Sequence, residues 1–126
     1  MGEGMSEPEV VRSRRPAGAV PAPAVPWLSV YPLTGRTGFR AVGEVTLPTH
    51  RIWERALEDA VRDGGDVYFV ELSALSFVDV AGAEALAGAA RRFGERRLVL
   101  DRPPAVLPRV LELLWPGLPA IEVAAS

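Results

Sequence analysis

Four side chains carry whatever reactive chemistry this sequence offers: His50, Ser73, Ser76 and Asp79. A nucleophilic relay needs a hydroxyl, an imidazole to take its proton and a carboxylate to orient the imidazole. His50 is the only histidine. It stands near the N-terminus of an amphipathic segment and would have to meet Ser73 or Ser76 from a different loop, so a solvent-exposed surface histidine is expected. One histidine and no cysteine supply too few donors for a zinc or iron centre, and the carboxylates are scattered rather than set at ligand spacing. No Gly-x-Gly-x-x-Gly or P-loop occurs, and Gly82 with Gly88 does not follow a strand at the required offset. No catalysis and no cofactor are expected.

Asp79 has two readings. As a helix N-cap its carboxylate accepts a backbone N–H in the first turn, worth about 1 kcal/mol. As part of a switch, a hydroxyl on the next residue would take a phosphate whose charge the helix N-terminus would feel. That next residue is Val80, so residue chemistry favours the plain cap. Ser73 and Ser76 are expected to be loop hydrogen-bonders.

These residues lie in one stretch, Val67 to Leu86. Val67 to Leu72 is an apolar, β-rich run expected to be a buried strand, Ser73 to Val78 reads as a connection, and an Ala-rich helix opens at Asp79. In open α/β sheets, ligands and partners gather at such strand ends. Upstream, residues 1–25 are rich in Pro and Gly and read as a disordered tail. The folded domain is expected over 26–124. Trp27 to Tyr31 and Phe39 to Val45 form a hairpin around Thr34-Gly35-Arg36-Thr37-Gly38. Thr49 caps a helix to Arg62, with Ile52, Trp53, Ala56, Leu57, Ala60 and Val61 on its apolar face. Its other face is charged, with Arg55–Asp59 and Glu58–Arg62 at i,i+4 spacing.

Past Asp79 the helix has almost no bulk, and Gly82 and Gly88, each costing roughly 1 kcal/mol relative to Ala, suggest close packing or a partner's approach. Arg96 to Leu100 is a further strand. A third helix starts near Pro104, with Val106, Leu107, Val110, Leu111 and Leu114 on one face and Pro108 tolerated in its first turn. Ala120 to Val123 is the last strand. The order β-β-α-β-α-β-α-β describes an α/β domain with a mostly parallel sheet of four to five strands and three main helices.

Composition narrows the function further. A chain of 126 residues, 48% hydrophobic and 24% charged, holds one soluble domain. Its net charge of −2 favours neither nucleic acid nor an anionic membrane. All 14 basic residues are Arg, which reads as codon bias, and the Arg12, Arg14 and Arg15 cluster falls in the tail. Without cysteine no oxidising compartment is needed. No apolar run approaches the ~18 residues of a membrane span, and Pro21 and Pro23 interrupt the only candidate signal segment. A cytoplasmic protein is expected, with no direct membrane insertion.

The stretch Glu71-Leu72-Ser73-Ala74-Leu75-Ser76-Phe77-Val78-Asp79-Val80-Ala81-Gly82 resembles the central pattern of the STAS family, shared by sulfate transporters and bacterial anti-sigma factor antagonists. Gly43-Glu44-Val45-Thr46 is similar to the end of the family's second strand, and Arg109 to Leu114 with Gly117-Leu118 to its last helix. The resemblance spans about 26–124 and implies a STAS-type fold. It also implies protein-protein recognition at the strand-to-helix junction and the second helix, with Glu44, Thr46, Ser76, Asp79, Val80, Ala81, Gly82 and Glu84 as the partner-binding residues.

The implied partner is an anti-sigma factor of the histidine-kinase-like ATPase type, whose sequestration frees a sigma factor and regulates transcription. Two positions depart from the family pattern. Val80 replaces the phosphoacceptor Ser or Thr, and Thr46 replaces an Asp. Val80 is therefore a degenerate phosphosite, which leaves the surface permanently in the unphosphorylated, partner-competent state. The alternatives are a constitutive STAS subunit or scaffold of a transporter or stress-signalling complex, and a small-ligand sensor or degenerate enzyme.

Overall fold

The computed structural model describes residues 25–124; the expected tail, apart from Val25, lies outside the described residues. The elements are β1 (Leu28–Pro32), β2 (Gly38–Val45), a single 3₁₀ turn (Leu47–Thr49), α1 (His50–Asp63), β3 (Val67–Val78), α2 (Val80–Phe93), β4 (Arg97–Asp101), α3 (Val106–Leu114) and β5 (Ile121–Ala124). They form one five-stranded sheet in the order β1-β2-β3-β4-β5. β1 pairs antiparallel with β2, and the remaining neighbours are parallel. This is the expected element order and sheet type.

The topology decides where the helices lie. Each β-α-β crossover steps one strand in the same direction, so right-handed connections put all three helices on one face of the sheet. Phe39, Ala41, Val70, Leu72, Leu98 and Leu100 point to that face and are buried with Trp53, Leu57, Leu86, Phe93 and Leu107. Three edge-on aromatic pairs knit this layer: Phe39 with Trp53, Phe39 with Tyr68, and Tyr68 with Phe93. Burial, with Asp63 and Asp59 nearby, pushes the Tyr68 phenol up from its ordinary value. Gly64 ends α1 in the left-handed conformation, at φ 81°. Arg96 then donates to three carbonyls around that helix end, those of Ala60, Val61 and Gly65, while stacking on Phe93.

Several details differ from the sequence expectation. β3 continues to Val78, so Ser73 and Ser76 sit in a strand rather than a connection. β2 supplies the reason: Gly43, Glu44 and Val45 pair with Leu75, Phe77 and Val78, and long-range pairing outweighs the modest strand preference of Ser and Ala. Thr49 makes no side-chain cap bond to α1; its hydroxyl donates to the Glu44 carbonyl, 2.8 Å away. On α1, Arg62 bonds Asp59 at i,i+3 spacing. On α3, Leu107 and Leu111 are buried while Val106 and Leu114 stay exposed.

The opposite face of the sheet carries charge. In a parallel pair, residues in register share a face, and Glu71 is in register with Asp101. Both are buried, and three arginines reach them. Arg102 Nη2 lies 2.9 Å from Glu71 Oε2, Arg40 Nε 3.3 Å from Glu71 Oε1, and Arg36 Nη2 2.6 Å from Asp101 Oδ2. Farther along this face Arg97 pairs with Glu122, and that hydrogen bond holds the Glu122 carboxyl below its ordinary value.

Candidate functional site

The C-terminal ends of β2 and β3 lie side by side because Val45 is in register with Val78 and the Asp79 N–H donates to the Val45 carbonyl at 3.0 Å. Each strand hands over to a helix at this edge. Two junctions far apart in sequence therefore form one surface.

Asp79 caps α2: its Oδ1 accepts the Gly82 N–H at 2.8 Å, as its residue type and position predict. The same carboxylate faces His50, whose Nε2 is 2.9 Å from Oδ1 and 2.8 Å from Oδ2. The expected solvent-exposed surface histidine is thus an internal partner of the cap, with a side chain 18% exposed. The reason is the parallel register, which sets the first residue of α1 against the residue preceding α2. Neither serine completes a relay with this pair. Ser76 Oγ donates to the Gly43 carbonyl at 3.1 Å, and Ser73 Oγ donates to Glu71.

α2 lies close because of Gly82. A Cβ built there would come within 2.6 Å of Val45 Cγ1 and 3.0 Å of Val78 Cγ1. The Gly82 carbonyl accepts the Trp53 indole N–H at 2.9 Å, which ties α1 to α2 one turn past the cap. Gly82→Ala is expected to destabilise the fold by about 1–3 kcal/mol through overpacking, despite the ~1 kcal/mol that Ala gains in a helix. Urea unfolding of the two proteins measures the difference. Gly88 behaves differently, since a Cβ there meets nothing within 4 Å. It lines an open groove of about 240 Å³ between α1 and α2 with Glu54, Leu57, Glu58, Ala85, Ala89 and Arg92.

The eight residues named from the sequence are placed unequally. Ser76, Val80, Ala81 and Glu84 are exposed, Glu44, Thr46 and Asp79 are half-buried, and Gly82 is buried. Gly82 therefore shapes the site from beneath, and Thr46 contributes its backbone, whose N–H donates to Thr49 Oγ1 at 3.0 Å. The Thr46 hydroxyl is buried without a hydrogen-bond partner. Val80, in the first turn of α2, is 58% exposed, and Leu47 and Phe77 at the same edge of the sheet are 79% and 47% exposed. Leu47 and Phe77 were missed by sequence reasoning, although both flank the named residues and carry apolar bulk next to turn chemistry. His50 was missed as a site residue too, and nothing in its local sequence signals its partner.

No family model and no curated protein matches the chain. Among solved structures it is similar to the anti-sigma factor antagonist SpoIIAA in its unphosphorylated form, with a TM-score of 0.55 and 20% sequence identity over 78% of this chain and 88% of that one. At that identity the likeness establishes architecture alone, and the chain has a STAS-type fold, the fold it shares with SpoIIAA.

Proposed function

We propose that this protein is a non-catalytic, cytoplasmic regulatory domain that docks an anti-sigma factor of the histidine-kinase-like ATPase type, using the end of β3 and the first turns of α2, without a phospho-switch at Val80. The observation that carries the reading is Val80, a β-branched apolar side chain 58% exposed directly after the capped helix start. Exposed apolar side chains clustered at one rim mark interaction surfaces more than scattered ones do, and Leu47 and Phe77 share this rim. The His50–Asp79 pair holds the cap, so the surface is presented by a fixed backbone. The likeness to an anti-sigma factor antagonist supports the choice of partner.

The test is co-purification from the native host, followed by titration of the captured ATPase with variants. Val80→Asp is expected to weaken binding at least tenfold, because a buried unpaired carboxylate is costly, while Val80→Ala changes it only a few-fold. Unchanged affinity for Val80→Asp would remove the helix start from the interface. Intact-mass measurement after incubation with the ATPase and ATP is expected to show an unmodified parent chain. A phosphate on Ser73, Ser76 or Thr46 would show that another hydroxyl takes over the switch that Val80 lacks.

A further inference from the structure

The helix-free face of the sheet holds an ion cluster that the proposed docking surface does not use. Arg36, Arg40 and Arg102 converge on Glu71 and Asp101, three cations on two anions, in a chain whose net charge is −2. The side chains of the arginines are 39%, 50% and 49% exposed, while those of the acids are only 7% and 6% exposed. Each guanidinium has five N–H donors; Arg36 and Arg102 each give one to a carboxylate and Arg40 lies against Glu71 as an ion pair only, so most donors are left without a carboxylate acceptor.

The acids fix the arginines in place. Glu71 Oε1 and Asp101 Oδ1 are already buried without a hydrogen-bond partner, and an arginine that swung away would leave a buried carboxylate still less compensated. Arg36 is further held over the Phe69 ring at 4.4 Å. Arg102 is the one non-glycine residue with positive φ among the described residues, at 52°. Its N–H donates to the Ala124 carbonyl at 2.6 Å while its guanidinium reaches back to Glu71. Backbone strain of this kind persists where the surroundings over-determine it and clusters at functional positions.

We infer that this face is a second docking surface, built to take an acidic segment of a partner protein, whose carboxylates would meet the remaining donors of Arg36, Arg40 and Arg102. Charge complementarity selects that occupant. A second copy packed through the same face would bring the same positive excess. Residues 1–24 carry Glu3, Glu7 and Glu9 against Arg12, Arg14 and Arg15, so that segment as a whole brings no net negative side-chain charge. The surface is independent of the Val80 rim, and either can fail without the other.

The experiment is an NMR titration of the full chain, labelled with ¹⁵N, with a terminally blocked hexaglutamate peptide. The expected result is saturable binding that moves the arginine Nε–H resonances and weakens as sodium chloride rises from 0.05 to 0.5 M, as screening requires. Arg40→Gln, at the most exposed of the three, is expected to weaken it at least threefold, and Arg36→Lys likewise, since an ammonium lacks the planar fork. Arg55→Gln on α1 and Val80→Asp should leave it within a factor of two. Thermal melts confirm that each variant is folded. No saturable binding, equal loss in Arg55→Gln, or equal occupancy by inorganic phosphate at the same concentration would each overturn the proposal; the last would make it a free-anion site.

Discussion

Trp53→Ala is expected to lower the unfolding free energy by about 3–5 kcal/mol, the range for truncating a large buried aromatic. Trp53 is fully buried, stacks edge-on against Phe39 with centroids 6.0 Å apart, and gives its indole N–H to the Gly82 carbonyl. The substitution removes all three contributions and leaves a cavity between α1, α2 and the sheet, where packing is too dense to collapse freely. Against a typical total of 5–15 kcal/mol the variant should be marginal, with a melting temperature lower by 10 °C or more. Trp53→Phe retains most of the volume and should lose only about 1–2 kcal/mol, chiefly from the unpaired carbonyl and the smaller ring. Paired urea titrations give both numbers. A loss below 1 kcal/mol for Trp53→Ala would mean that the tie between α1 and α2 does not organise the core.

That tie shows which parts of the fold were legible in advance. Trp53, Ala56, Leu57 and Ala60 recur at helical spacing, and all four are buried, because one continuous helix meets one continuous sheet. Asp79 was legible for a similar reason: capping is settled within three residues. Ile52 shared the same pattern yet is 44% exposed, since it falls at the rim of the stripe, where periodicity does not fix burial. The extent of β3 was not legible. Ser73, Ala74 and Ser76 read locally as a connection, and only β2, more than thirty residues earlier, converts them into strand.

The candidate site divides along the same line. Its cap and its apolar helix start come from adjacent residues. Its other half, His50 and Leu47, arrives from a junction 29 residues away from Asp79, and no spacing rule links the two. Parallel β-α units do place successive strand ends at one edge, but that rule names loops rather than atoms. The helix-free face had a signal that went unused. Glu71 interrupts a run of apolar strand residues, and a charge in a buried strand requires a partner. Asp101 ends the next strand in register, so the placement of both acids follows once the strand order is known.

The cost of that buried pair is the second large effect. Glu71→Ala is expected to destabilise the protein by about 3 kcal/mol, at the lower end of the range for breaking a buried ion pair. Glu71 accepts from Arg102 and from the Ser73 N–H and hydroxyl and lies against Arg40, so its removal leaves one guanidinium, a strand N–H and a hydroxyl without their acceptor and Arg40 without its counter-charge. The arginines are half exposed and can turn to water, which limits the loss. Asp101 remains, and Arg102 Nε, now 3.6 Å from its Oδ1, can close on it. The double variant Glu71→Ala with Arg102→Ala should therefore cost less than the sum of the two single ones, by 0.5 kcal/mol or more in the cycle. Salt separates burial from surface pairing. An exposed pair loses most of its contribution by 1 M sodium chloride, where the Debye length is about 3 Å, whereas most of the loss in Glu71→Ala should persist there because the carboxylate is 93% covered. If the difference between parent and variant disappears at 1 M salt, Glu71 belongs to a surface network, and the arginines above it are not held in the fixed array that an acidic partner segment would need.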